Sequence, residues 1–291
     1  MHGPTITQAM IDAYDEYTHL TLDRRGFMDK LTRLAGSGAA AAAIAPLLAA
    51  NAASAAIVPE DDQRLEAEEL KWPADGGEMT GYLVHPANQS GKLPAVIVVH
   101  ENRGLIAHIR DVARRVALEG FVVLAPDFLS PLGGTPADED KAREMFTELG
   151  AEKPVEDGVA TIAFLKDHEL STGKVGAIGF CWGGGTVNAL AVASPDLSAA
   201  VAYYGRQPKT EDVPKIRAAL LLHYAGQDER INAGIDAYKA ALEKGGKDYQ
   251  LFVYEGAQHA FNNDTSAARY DKDAADLAWS RTVTFLKDKL G

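Results

Sequence analysis

Only one of the 291 residues, Cys181, is a cysteine, and that scarcity removes several architectures. An internal disulfide needs two thiols and a thiolate zinc cluster needs more, so a fold stapled by either is excluded. Runs of Lys or Arg are also missing, and the formal charge is −12. Phosphate binding requires a clustered basic surface, so nucleic acid is not an expected partner. There is no long, strongly apolar stretch. The least polar segment, residues 34–59, is mostly alanine and contains Pro46, which makes it a poor membrane anchor. No stable membrane insertion is therefore expected of the mature domain. No H-E-x-x-H or comparable ligand spacing appears, so no metal site is expected.

What remains is the composition of a folded globule: 46% hydrophobic, 24% charged and 8% aromatic residues. That is enough apolar material for a sizeable core, and it excludes a disordered chain. Residues 1–57 read differently from the rest. A polar stretch over 5–17 suits a short helix, and Asp23-Arg24-Arg25-Gly26-Phe27-Met28-Asp29-Lys30 follows it. The uncharged alanine-rich segment comes next and ends in two small-residue sites, 50–52 and 53–55. A positive region, a mild apolar region and an A-x-A site make an export signal. The paired arginines with Phe27 resemble the twin-arginine pattern, whose cargo crosses a membrane already folded. That reading expects a periplasmic protein. Its alternative is a cytoplasmic chain that keeps the segment as a helical arm packed on a neighbouring subunit. From residue 56 onward the chain carries 25 basic and 36 acidic residues, so the remainder is acidic either way.

Residues 58–291 alternate apolar, β-rich runs with helix-length amphipathic runs, without an internal repeat or a linker, and are expected to form one domain. The spacing predicts strands at 64–71, 79–85, 94–100, 121–125, 174–180, 199–204, 218–225 and 249–254. Helices are predicted at 109–119, 140–149, 155–166, 184–193, 235–244 and 271–290. Continuously apolar strands such as Ala95-Val96-Ile97-Val98-Val99 belong in the middle of a parallel sheet covered on both faces. The expected fold is therefore α/β, a mostly parallel, doubly wound sheet of about eight strands, with sites beyond the carboxyl ends of the strands.

Chemistry gathers at those strand ends. Gly179-Phe180-Cys181-Trp182-Gly183 joins a buried strand to a helix, the nucleophile-elbow pattern with Cys in place of Ser. The turn sets Cys181 at a helix N-terminus, where free N–H groups favour a thiolate. A second strand ends in a loop carrying Asp228, and a third in a loop carrying His259. Nucleophile, acid and histidine in that order fit the α/β-hydrolase arrangement, with Asp228 orienting His259 and His259 activating Cys181. His85, His100, His108, His168 and His223 lack such placement and read as structural or solvated. The loop His100-Glu101-Asn102-Arg103-Gly104 follows another apolar strand. In such a fold it supplies one backbone N–H of an oxyanion hole, here Asn102, while Trp182 supplies the other.

Together, Cys181 in G-F-C-W-G-G, the H-E-N-R-G loop, Tyr203-Tyr204-Gly205, Asp228 and His259 in G-A-Q-H-A-F-N resemble the dienelactone hydrolase (carboxymethylenebutenolidase) family. The resemblance runs over about residues 66–290. It implies the α/β-hydrolase fold and hydrolysis of an enol-lactone or small activated ester through an acyl-thioester, without a cofactor. It further implies that Glu101 contacts the resting cysteine and takes part in its activation. Tyr203 is expected to border the pocket. Where family members hold a substrate carboxylate with an arginine four residues after the histidine, this chain has Asn263. Arg103 and Arg143 are the candidate replacements, and Phe128, Leu132, Phe146, Trp182 and Phe261 the residues expected to shape the pocket. The expected partner is a small ester or lactone, and a homo-oligomer is admitted. A general carboxylesterase or thioesterase is the alternative within the class. A peroxide-sensing thiol lacks a resolving cysteine, and a binding protein would not need the ordered Cys, Asp and His.

Overall fold

The computed structural model describes residues 5–19, 22–49, 56–75 and 77–291. Among these residues eight strands form one sheet: β1 (Leu65–Ala74), β2 (Gly77–Pro86), β3 (Leu93–Val99), β4 (Val122–Asp127), β5 (Ser171–Phe180), β6 (Leu197–Tyr203), β7 (Ala219–Gln227) and β8 (Tyr249–Gln258). Their order across the sheet is β1-β2-β4-β3-β5-β6-β7-β8. The pairs β1/β2 and β2/β4 are antiparallel, and β4 through β8 run parallel. The expected doubly wound, mostly parallel sheet is present.

Alternation along each strand explains its two covered faces, since successive side chains point to opposite sides. On β3, Val96 and Val98 pack with Ile109, Val112 and Val116 of α4 (Ala107–Leu118) and with Phe285 and Leu286 of α10 (Lys272–Leu290). Ala95, Ile97 and Val99 face the other way. They meet Ile162 and Leu165 of α6 (Lys153–Asp167) and Val187 and Leu190 of α7 (Trp182–Ala193). The other α-helices described in this body are α5 (Glu139–Leu149), the single turn α8 (Glu229–Asn232) and α9 (Ile235–Lys244). Strand β3 sits between β4 and β5, so the winding reverses beside it, and the crevice of such a sheet opens at that reversal.

Strand β8 runs four residues further than the periodicity predicts. After a register shift its end pairs with β7 again, with Gln258 opposite Gln227. Helix α7 starts two residues earlier than predicted because Cys181 serves as its N-cap residue.

Within the first 57 residues three helices are described: α1 (Gln8–Thr18), α2 (Arg24–Ala35) and α3 (Gly38–Leu48). Asp23 and Ser37 cap α2 and α3 by accepting from the N–H groups of Gly26 and Ala40. Alanine, the best helix former, carries α3. The three helices bury Met10, Tyr14, Phe27, Leu31, Ile44 and Leu48 among themselves, with Ala268 of the body against them. Among the described residues no single helix is long and apolar enough to cross a membrane, and α2 and α3 pass together only as a pair bent by 113°. The expected cleavage sites at 50–52 and 53–55 lie outside the described residues.

Candidate active site

The site begins with the elbow. Cys181 has φ +54° and ψ −113°, a conformation that L-residues rarely adopt and that costs free energy unless its surroundings hold it. Glycine provides the space. A Cβ on Gly184 would lie 2.6 Å from the Tyr203 carbonyl oxygen, so α7 can approach β6 this closely only with glycine there. Cys181 is partly exposed, and its N–H donates to Tyr203 at 3.0 Å.

The same strand pairing that lengthens β8 assembles the acid and the histidine. Gln227 and Gln258 are partners across the sheet, so Asp228 and His259, each one residue later, emerge side by side. His259 Nδ1 lies 2.5 Å from Asp228 Oδ2, and both side chains are buried. Asp228 also caps α8 by accepting from the Ile231 N–H. His259 Nε2, without a hydrogen-bond partner among the described residues, belongs to a cluster with Cys181 Sγ. Burial pushes the Cys181 thiol up, but the positive charge of His259, with His19 beside it, outweighs it and brings the group down to about 6. Burial alone would lower His259, yet the Cys181 and Asp228 charges raise it to about 10. Burial opposes ionisation of Asp228, and the His259 charge overcomes it, holding that carboxyl below its ordinary range. A thiolate beside an imidazolium backed by a carboxylate has the parts for attack on a carbonyl and for proton delivery to a leaving group.

Glu101 is buried at the end of β3, and its Oε2 accepts a 2.9 Å hydrogen bond from Asn263 Nδ2. The expected contact with the resting cysteine is absent from the contacts among the described residues. Asn263, standing where the resemblance anticipates an arginine, draws the carboxylate to itself instead. Desolvation works to raise Glu101, but the charges of Arg103, His108 and Arg269 prevail, so the group stays below its usual value. The N–H of Trp182 lies in the first turn of α7, where amides have no partner within the helix. Asn102 lines the cavity from the opposite loop, and its side chain donates to the Thr18 carbonyl at 2.5 Å.

The cavity above Cys181 measures about 430 Å³. Phe146, Pro154, Val155, Trp182, Ala189 and Ile231 give it apolar walls, with Arg143, Arg206 and Arg230 among its polar lining. Several sequence expectations change here. Tyr203 does not line it: the ring points into the core and its hydroxyl meets Thr282 at 2.6 Å. Tyr204 does line it, because a φ of +39° turns the chain after β6 and sets that ring 4.9 Å from His259. Phe261 is fully buried against Tyr204 and Tyr254. Arg103 is buried too, donating to the Tyr14 hydroxyl at 2.6 Å and pairing with Glu139. Arg143 reaches the cavity, but its guanidinium pairs with Asp140 and covers the Tyr17 ring. Phe128 packs behind Trp182, and Leu132 is not among the lining residues.

One site residue has no motif around it. His19, just after α1, has its Nε2 3.5 Å from Cys181 Sγ and 2.8 Å from Arg230 Nη2. Its Nδ1 lies 2.6 Å from the Asp15 carbonyl oxygen. The arm is anchored around it by Tyr14 on Arg103, Asp15 on Arg269 and Gln8 on Gln258.

The sequence profile of the dienelactone hydrolase family matches residues 79–290. The chain belongs to the dienelactone hydrolase family. Among its relatives is a Saccharolobus solfataricus protein, provisionally named a carboxymethylenebutenolidase, 31% identical over 258 residues, which span 76% of this chain and 98% of the relative. An Escherichia coli K12 protein with the same provisional name is 32% identical over 254 residues, 82% of this chain and 93% of that one. A crystal structure of a provisionally named dienelactone hydrolase from Klebsiella pneumoniae superposes with a TM-score of 0.70 at 29% identity, covering 77% of this chain and 98% of that one. The sheet is thus the α/β-hydrolase fold, and this dienelactone hydrolase family member is a hydrolase of ester or lactone bonds.

Proposed function

We propose that Cys181 is the nucleophile and that hydrolysis runs through an acyl-thioester. The observation that carries this reading is the assembly of Asp228, His259 and Cys181 at a strained elbow facing a cavity. The Cys181 thiolate attacks the acyl carbon, and the oxyanion that forms takes hydrogen bonds from the N–H groups of Trp182 and Asn102. The C–O bond then breaks, and the departing oxygen takes the proton from His259. Water, giving a proton to His259, attacks the thioester and releases the carboxylic acid and the thiolate. A thiolate leaves more readily than an alkoxide, so the first adduct reverts unless the substrate has a better leaving group. Enol-lactones and activated esters meet that condition and simple alkyl esters do not. In this scheme Glu101, held by Asn263, is a positioning residue that keeps negative charge beside the His259 loop.

Of the two expectations for residues 1–57, the docking of α1 favours the retained arm, here packed on its own chain. Removing the segment takes His19 away from Cys181 and uncovers Arg103 and Arg269. The measurement is the intact mass of the protein purified from the cells that make it.

The test of the chemistry is a time course with 4-nitrophenyl acetate and an enol-lactone, followed by intact mass. An acetyl adduct in the wild type that is missing in Cys181→Ala supports the scheme. Unchanged turnover by Cys181→Ala overturns it.

A further inference from the structure

We propose that Cys181, His19 and His259 form a binding site for a soft divalent cation, with zinc the best fit, whose occupation blocks the nucleophile. One ligand atom from each residue lies within 4.8 Å of the other two. The Cys181 Sγ to His19 Nε2 separation is 3.5 Å. Zinc bonds of about 2.3 Å to sulfur and about 2.0–2.1 Å to nitrogen at a tetrahedral angle put those two atoms about 3.5 Å apart, so this edge of the site is already built.

Each imidazole has its Nδ1 committed elsewhere, which leaves Nε2 facing the site, and His259 Nε2 gives up its proton when the ion binds. His19 Nδ1 is committed to the Asp15 carbonyl, and His259 Nδ1 to the Asp228 carboxylate. An arginine N–H can only donate, so the contact with Arg230 requires a lone pair on His19 Nε2. Among the described residues His259 Nε2 is a buried polar atom without a hydrogen-bond partner in range, and it lies within the cluster. Histidine ligands to zinc ordinarily carry such an anchor on the far ring nitrogen, to a carboxylate or a backbone carbonyl, and both kinds are present here. The rings stand nearly perpendicular, 83° apart with centroids at 4.8 Å.

The obstacle is Arg230, whose N–H occupies the His19 lone pair. Arg230 is exposed, so it moves back into water when a cation displaces it. With three protein ligands the fourth position faces the cavity and is open to water. A cation held there takes the Sγ electron pair that hydrolysis would use and the His259 nitrogen that would deliver the proton. Sequence spacing hides this site because two of its ligands lie 162 residues apart.

The experiment titrates Zn²⁺ into the full-length chain against a chromophoric chelator, and follows alkylation of Cys181 by iodoacetamide with and without Zn²⁺. Neither readout depends on hydrolysis, so the result stands apart from the reaction scheme. The expected result is one ion per chain and strong slowing of alkylation. His19→Ala and His19→Gln should each weaken binding at least about tenfold while circular dichroism stays unchanged. Arg230→Gln, which removes the competing donor, should tighten it. Equal affinity in the wild type and both His19 variants, or alkylation unaffected by Zn²⁺, overturns the proposal.

Discussion

Asn263 Nδ2 donates a 2.9 Å hydrogen bond to Glu101 Oε2, and both side chains are buried. The residue that stands where the family resemblance anticipates a carboxylate-binding arginine is thus spent inside the protein on a carboxylate of its own. Its Oδ1 is also used, accepting from the N–H and the hydroxyl of Thr265. Asn263→Ala should therefore cost about 2 kcal/mol of stability, since it leaves a buried charge short of a donor. Chemical denaturation of the two proteins measures the difference.

The thiol and imidazole shifts set a pH window. Cys181 is brought down to about 6, below an ordinary thiol, so the thiolate that attacks alkylating agents accumulates as pH rises through about 6. His259 keeps its proton until about 10, so ester hydrolysis should fall as pH passes that value. His259→Asn removes the charge that holds the thiol down. The midpoint for iodoacetamide labelling should then move up toward the ordinary thiol range, a shift read directly from rate against pH.

Docking of the arm rests on polar pairs that individual substitutions can release. Tyr14→Phe removes the acceptor of the buried Arg103 guanidinium, a charge-assisted bond worth about 2 kcal/mol. Limited proteolysis should then release an N-terminal fragment containing α1 faster than in the wild type, with the body intact.

Arg206 lines the cavity with an exposed guanidinium. If the substrate carries a carboxylate, Arg206→Ala should raise KM about tenfold, equivalent to about 1.4 kcal/mol, while a neutral ester keeps its KM. Paired kinetics on charged and neutral esters of the same acyl group give the comparison.

Gly184 tests the tight packing behind the elbow. The added methyl of Gly184→Ala meets the Tyr203 carbonyl oxygen at 2.6 Å and Gly205 Cα at 2.9 Å, both of them backbone. Overpacking of this kind costs about 1–3 kcal/mol, and a lower melting temperature should report it.

The sequence by itself determined the layered sheet and the strand-end placement of Cys181, Asp228 and His259, because each signal is local. A continuously apolar run must be a covered strand, and a reactive residue just past it must emerge at the strand's carboxyl end. Cys181, Asp228 and His259 are all of this kind. Helix caps and the Gly-x-Cys-x-Gly turn are equally local. What only the tertiary structure decided depends on residues far apart in the chain. The Gln227 to Gln258 register brings Asp228 to His259, and a backbone turn of one residue exchanges Tyr203 for Tyr204 at the cavity. Asn263 and Glu101 find each other across 162 residues, as do His19 and Cys181. No periodicity encodes such meetings. They follow from how the arm and the loops pack once the sheet has formed, and that packing sets which charges Cys181 feels.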